Sequence, residues 1–482
     1  MRRPGIEGVF LGLVVGWGAP GAARAFDDHV FVLTSDGTTG QSASVSIDAP
    51  WPAALDVEPV GPTATVRHFF GRHYVVNRDA ATVQVIDPAT FATLRSFSVG
   101  AATSPRDIVV VDARTAYVSR YESCRLFRVD PTTGIGAESV DLCPLADADG
   151  LPEMSMMALD GRRLLVQLQR FDRKTFTPVP PSYLAVVDVD TEKLVDVDAD
   201  VPDVQGITLA GTNPSYKMHV EREARRLYVC TPGVWLDGAG GIEAVDLDAL
   251  RSLGFVTSEQ QVTGADISRF VMVSVERGYV IVHTDLFLSS HLTGFSRRDG
   301  SSLGEFLFAS GLTEGLDHDP LSGQVFMSVP ETVSGVAVVD GATGSVLTPA
   351  PIPVGLAPAD LVVARHTTPG EATGLWVGKE PATGVLSLSY VPACGAPDHH
   401  VVVGALDAVG VYGYTGQSCG IGNDGVVPSF DPGPGSSFFL VVADDAAGVE
   451  GSYGRDAAGN ERPESFVEPF CLFAQDLSRR CD

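Results

Sequence analysis

Residues 71–100 read GRHYVVNRDAATVQVIDPATFATLRSFSVG. An apolar run around Tyr74 is followed by a turn, then a second run ending Val85-Ile86-Asp87. A short polar turn leads to a third run that closes at Val99. Alternating apolar residues punctuated by Gly, Asp and Pro mark short antiparallel strands. The pattern returns as TAYVSRYESCRLFRVDPTTG (115–134) and RLLVQLQR with YLAVVDVDTEKL (163–170, 183–194). It returns again as RLYVCTPG with GIEAVDLDAL (226–233, 241–250) and QVFMSVPETVSGVAVVDGATG (324–344). A period of about 40 residues implies stacked four-stranded sheets, and a closed ring of them is a propeller.

Working outward, complete four-strand units span 63–100, 105–143, 153–200, 214–260, 266–305 and 312–354. Residues 29–60 supply three strands of one further unit, and ADLVVAR (359–365) is its missing innermost strand. Pairing the two ends of the ring leaves no open sheet edge. The count is therefore seven. Eight is the competing count, if GLWVGKE and VLSLSYV formed a unit of their own. After about residue 370 the repeat gives way to short strands between turn-rich segments, the pattern of a small β-sandwich. The fold class is all-β: a seven-bladed β-propeller over 26–367, then a disulfide-stapled sandwich over 372–463. The tail, 464–482, has no periodicity and is expected to be held by Cys471 and Cys481 alone.

The first 25 residues lie outside this pattern. Arg2 and Arg3 precede an apolar stretch, and Ala23-Arg24-Ala25 is a small-x-small cleavage site. This reads as a secretory signal peptide, whose cleavage after Ala25 would leave about 457 residues. No later stretch approaches the ~18 apolar residues of a membrane span. The expectation is an exported monomer of the periplasm, cell surface or medium. The formal charge is −27, with 60 acidic against 33 basic residues. A nucleic-acid backbone would be repelled, so DNA and RNA are poor partners.

An exported chain with seven cysteines implies disulfides. Cys124 and Cys143 flank a hairpin folded about PTTG, which brings them opposite each other. Cys394, Cys419, Cys471 and Cys481 could form two more bridges, with connectivity open. Cys230, on an apolar strand, reads as a buried thiol.

The residues YVVN (74–77), YVSR (117–120) and YVCT (228–231), with the VID and VVD strands, resemble the YVTN/YncE-like family of bacterial propellers. Tyr74, Val75, Asn77, Asp87 and Thr90 match its pattern. The resemblance implies a propeller but no activity, because the family includes sensors and binding proteins. The segments LSLSYVPACGAPDHH, SFFLVVADD and EGSYGRDAAGNERP resemble fibronectin type III-like modules at the ends of secreted proteins.

Asp87, Asp130, Asp188, Asp246 and Asp340 each end a strand before a turn, where a carboxylate can accept turn N–H bonds. The segments entering the innermost strands carry another set: Asp107, Glu153, Asp266, Glu314 and Asp360. A carboxylate at one level in five blades would make an acidic mouth for Ca²⁺ or a small cationic ligand, unless Arg106 or Lys217 offsets it. Otherwise each carboxylate caps its own strand or bonds a neighbouring loop. The acidic run at 187–206 reads as a solvated outer edge. His68, His219 and His318 lie at unequal offsets and are not expected to share a metal. His399 and His400 should point to opposite faces.

Neither a nucleophile elbow, a P-loop nor a dinucleotide fingerprint is present. The leading expectation is a non-catalytic binding or scaffold protein without a cofactor, recognising a protein, a glycan or a small cationic ligand. The alternative is a calcium-assisted, lactonase-like hydrolase with its site at the mouth. A quinoprotein is a third and weaker option.

Overall fold

The computed structural model describes residues 28–112, 114–262, 264–285, 288–330, 333–365, 368–380, 385–393, 395–445, 448–456, 459–465, 471 and 473–477. The expected leader, residues 1–25, therefore lies outside the described residues, as do Cys394 and Cys481.

Seven antiparallel sheets form the ring. In the second blade the strands run Thr65–Phe69, Arg72–Asn77, Thr82–Ile86 and Thr93–Ser98, from the axis outward. The innermost strands of the next five blades are Pro105–Asp112, Met154–Asp160, Ser215–Glu221, Asp266–Met272 and Leu316–Asp319. The first blade is closed by the far end of the ring. Its innermost strand, Ala357–Ala364, pairs antiparallel with His29–Ser35, with His29 opposite Ala364 and Leu33 opposite Asp360. That closure supplies the strand missing from residues 29–60 and fixes the count at seven.

The blades are held by apolar faces pressed together, one cluster between each neighbouring pair. Tyr74 and Val85 pack on Ile108 and Val118. Tyr117 and Leu126 meet Leu164 and Val187 across the next gap. Val30 and Val45 meet Phe326 and Val338, while Phe31 and Leu33 meet Val75 and Ile86, so the ring is sealed at both sides of the first blade. Phe31, Tyr117, Tyr279 and Phe326 are fully buried. Burying a large apolar side chain contributes roughly 1.5–3 kcal/mol.

The strand-ending aspartates act as turn acceptors in five blades. Asp87, Asp130, Asp188, Asp246 and Asp340 each accept backbone N–H bonds from residues two or three further on, at 2.7–3.3 Å. In the acidic run 187–206, Asp196 accepts the N–H groups of Asp198 and Gln205 across an exposed loop.

Beyond the ring, Thr373–Lys379, Leu386–Val391 and Val426–Phe430 form one sheet of a sandwich. The other orders Tyr414–Ser418, Asp398–Ala405, Ser437–Asp444, Val449–Glu450 and Ala474–Gln475. Leu388, Val401, Val403 and Phe430 fill the space between them. Cys419 and Cys471 are joined, with Cα atoms 5.6 Å apart, and Cys124 is joined to Cys143. Cys230 is a buried free thiol, and burial pushes its pKa well up. The tail is held by more than cysteine. Ala474–Gln475 pairs parallel with Val449–Glu450, because the Ala474 and Asp476 N–H groups donate to Gly448 and Glu450 carbonyls. No helix among the described residues is long and apolar enough to cross a membrane.

Candidate functional site

The innermost strands surround the axis, and their entry ends enclose a cavity of about 380 Å³. Every blade contributes. Ala359 and Asp360 come from the first, Thr65 and Arg78 from the second, and Arg106 from the third. Met156, Lys217, Arg269 and Glu314 come from the fourth to the seventh.

Irregular register accompanies several of these positions, while Arg78 sits in the turn after the second strand of its blade, Arg72–Asn77. In the third blade the ladder passes from Pro105 to Asp107 and skips Arg106. In the fourth it skips Ser155 and Met156, and in the sixth Ser268 and Arg269. The fifth breaks between Ser215 and His219, around Tyr216 and Lys217, and the first skips Ala359. Arg106, Ser155, Met156, Tyr216, Lys217, Arg269 and Ala359 line the cavity, whereas Ser268 and Met218, also skipped, do not. A bulge leaves its extra residue unpaired and re-aims it, which is why bulges gather beside binding sites. Tyr216 has φ +70°, an uncommon value for a non-glycine residue. Its ring lies under the Arg269 guanidinium, 3.7 Å from carbon to centroid.

The five entry-segment carboxylates do not form one acidic ring. Asp107 is buried and doubly bonded to Arg67, through Nε at 2.7 Å and a terminal nitrogen at 2.6 Å. It also accepts the Met157 N–H of the next blade at 2.8 Å. Asp360 accepts Lys217 at 3.0 Å and the Val66 N–H at 3.0 Å. Glu153, fully buried, accepts the Phe171 N–H and two weak bonds from Arg173. Burial pushes it up to about 7, with Asp149 and Asp147 adding to the rise. Asp266, also buried, accepts the Leu236 N–H at 2.7 Å, and its other oxygen has no hydrogen-bond partner among the described residues. Glu314 is half exposed and pairs with Arg269 at 3.6 Å. Only Glu314 and Asp360 of the five line the cavity, and each already faces a cation.

Asp317 shares the linking role of Asp107 and Asp360. It accepts its own neighbour's N–H and that of Val363 in the next blade. The sequence signal was an Asp two to four residues into an innermost strand, as in PRDIVV, PADLVV and LDHD. Three blades are thus stitched to their neighbours by a carboxylate on a backbone N–H, a charge-assisted bond stronger than a neutral one.

The donor set at the mouth does not fit Ca²⁺. A hard cation wants six to eight oxygens, whereas two cation-bonded carboxylates share this wall with Arg78, Arg106, Lys217 and Arg269. Arg106, Lys217 and Arg269 reach this wall from irregular strands and Arg78 from a turn, while the carboxylates take backbone and ion-pair partners.

His219 and His318 line a second cavity of about 420 Å³, which meets the first at Lys217, Phe270 and Leu316. His68 instead contacts His73 at 3.2 Å, and His73 meets His29 at 2.9 Å. Burial holds His73 well below its ordinary pKa. In the sandwich His399 accepts the Ala393 N–H at Nε2 and donates from Nδ1 to the Gly422 carbonyl, while His400 lies between Asp444 and Glu450.

No family model matches the chain, and no curated protein matches it. Among solved structures it is similar to hydrazine synthase of Kuenenia stuttgartiensis, at 12% identity and TM-score 0.44, over 67% of this chain and 91% of that one. It is similar to a candidate 6-phosphogluconolactonase from Bacteroides fragilis NCTC 9343, at 13% identity and TM-score 0.49, over 72% and 99%. A third is the dihydro-heme d1 dehydrogenase NirN in complex with DHE, at 14% and 0.43, over 87% and 78%. These likenesses concern architecture, and the blade count rests on the strand ladders described above.

Proposed function

We propose that the protein is an exported, non-catalytic binding protein of YVTN/YncE-like type that recognises a small ligand at the entry-end mouth of its propeller. The observation that carries this reading is the axial cavity, built by all seven blades and lined by residues that bulges turn inward. A volume of about 380 Å³ lies in the range of small-molecule pockets, ~300–1,000 Å³. The lining offers guanidinium, ammonium, hydroxyl and amide groups, whereas a hydrolase would need a nucleophile held by a base. The two mouth carboxylates are bonded to cations, which leaves them poorly placed to hold a metal for the lactonase-like alternative. The sandwich, with its first, second and fifth strands in one sheet, is read as a fibronectin type III-like spacer.

The test uses the full chain, a panel of charged and neutral metabolites, and thermal melts followed by calorimetry. Ala359→Trp, which fills the cavity, should abolish binding of the panel's best ligand while leaving the apo melting temperature within a few degrees. Ser155→Tyr is the second blocking variant should Ala359→Trp fail to fold. Binding that survives both substitutions would move the site elsewhere. Turnover of a bound panel member, seen by mass spectrometry, would replace the binding reading with the enzymatic one.

A further inference from the structure

We propose that the mouth cavity is an oxyanion site, where the Arg78 and Arg106 guanidiniums grip the carboxylate or phosphate group of a small ligand. This rests on the reading of the mouth as the binding surface and names the chemistry it takes.

Four basic and two acidic side chains line the cavity. Lys217 is bonded to Asp360, and Arg269 is paired with Glu314. Arg78 and Arg106 are left over, and neither has a hydrogen bond or ion pair through its guanidinium among the described residues. The Nε of each is buried and unbonded, and so is the Thr63 hydroxyl on the same wall. Buried donors in native structures are nearly always satisfied, and an orphan calls for a missing partner. All three atoms belong to residues that line one cavity, within reach of an occupant there.

The two guanidiniums are close enough to feel each other. Burial first, and then the charge of Arg78, pulls Arg106 down to about 10. This crowding of like charge occurs in a chain with 60 acidic and 33 basic residues, where carboxylates are plentiful. Arg106 is supported by an aromatic face instead. It stacks on Tyr121 at 4.3 Å, as Arg269 does on Tyr216. Stacking holds a guanidinium by its face and leaves its N–H edge for a ligand. The planar fork matches the two oxygens of a carboxylate or phosphate. An oxyanion would supply both the missing acceptors and the missing charge, whereas a cation would be repelled.

The probes are inorganic phosphate and malonate, titrated into the full chain at constant ionic strength set with sodium chloride. At least one should bind and raise the melting temperature with concentration. Binding of phosphate alone assigns a phosphate group to the ligand, and binding of malonate alone assigns a carboxylate. Arg78→Met with Arg106→Met should weaken binding at least tenfold. Arg78→Lys with Arg106→Lys should recover only part of it, because charge returns without the fork. Arg298→Met, at an exposed arginine paired with Glu276, should change nothing. Arg78→Met alone serves if the double variant does not fold. The proposal is overturned if neither probe binds, or if the Met variants bind as the parent does. Should both probes fail while Ala359→Trp still displaces some other panel ligand, the oxyanion assignment falls and the mouth reading stands. Probe binding that persists through Ala359→Trp and the Met variants defeats both.

Discussion

At the ring axis, Arg67 meets Asp107 and Lys217 meets Asp360 beside a cavity. In the sandwich, His400 lies between Asp444 at 3.3 Å and Glu450 at 3.0 Å, stacked under Phe473. Its Nε2 is near Glu450 without the alignment of a hydrogen bond. Both regions bury charge, and they balance it differently. The sandwich sets two carboxylates against one imidazole. Burial opposes charge on His400, yet the neighbouring Asp444 and Glu450 carboxylates outweigh it and raise its pKa. The axis has basic groups in surplus, and the surplus faces open volume. A buried triad closed by packing acts as a staple between strands. The guanidiniums of Arg78 and Arg106 at the cavity wall are the groups the proposed oxyanion would meet.

The largest effect expected from breaking this contrast lies in the sandwich. His400→Leu removes the shared partner of two buried carboxylates, and breaking such a set costs about 3–5 kcal/mol. Urea unfolding read by hydrogen exchange should show the loss confined to residues 398–450. Phosphate and malonate binding at the mouth should be unchanged. Lost binding in this variant would couple the two regions and undo the comparison.

The next effect is a pH slope in the ring. Burial lifts Glu153 and Glu259 to about 7, from an ordinary value of 4.5. Each then holds more proton in the folded than in the unfolded chain between those values. Its contribution to stability is complete below pH 4.5 and is lost as the pH rises through 7. The fall should reach at most about 1.4 kcal/mol per pH unit for each group. Chemical denaturation from pH 4.5 to 7.5 should show a decline that flattens in a Glu153→Gln, Glu259→Gln double variant. An unchanged slope there would assign the decline to other groups.

The smallest effect separates turn carboxylates from axial ones. Asp340→Ala loses bonds to Thr343 in an exposed turn. A hydrogen bond of this kind contributes about 0.5–1.5 kcal/mol. The loss should appear as a lowered melting temperature with mouth affinity intact. An equal loss at Asp107→Asn would contradict the distinction, since that change strips the charge partner from Arg67.

The repeat was legible because strand alternation and turn chemistry are local. HYVVN, VID and the Asp-led turns each carry their own signal within a few residues. The closing strand 359–365 could be read too, since three strands at 29–60 leave one place unfilled. The site was legible only in its parts. Arg106 and Lys217 stood out as cations near the mouth, but Arg78 lay in an outer turn of its repeat, YVVNRD, and drew no notice. Asp107, Glu153 and Asp266 were aligned by their position in the repeat, which says nothing about the direction of a side chain. One skipped residue sends a strand's neighbours to opposite faces.

Sequence by itself determined an all-β chain of seven repeats, a closed ring, a small stapled sandwich and the Cys124–Cys143 hairpin. These follow from patterns of burial and turning that act over short distances. Tertiary structure alone decided the charge of the mouth. That charge depends on bulges in three innermost strands, which carry Arg106, Lys217 and Arg269, on the turn that carries Arg78, and on which carboxylates find a backbone N–H in the next blade. The bulges and the carboxylate bonds are set by how separate strands register around the axis, and register is a property of the assembled ring.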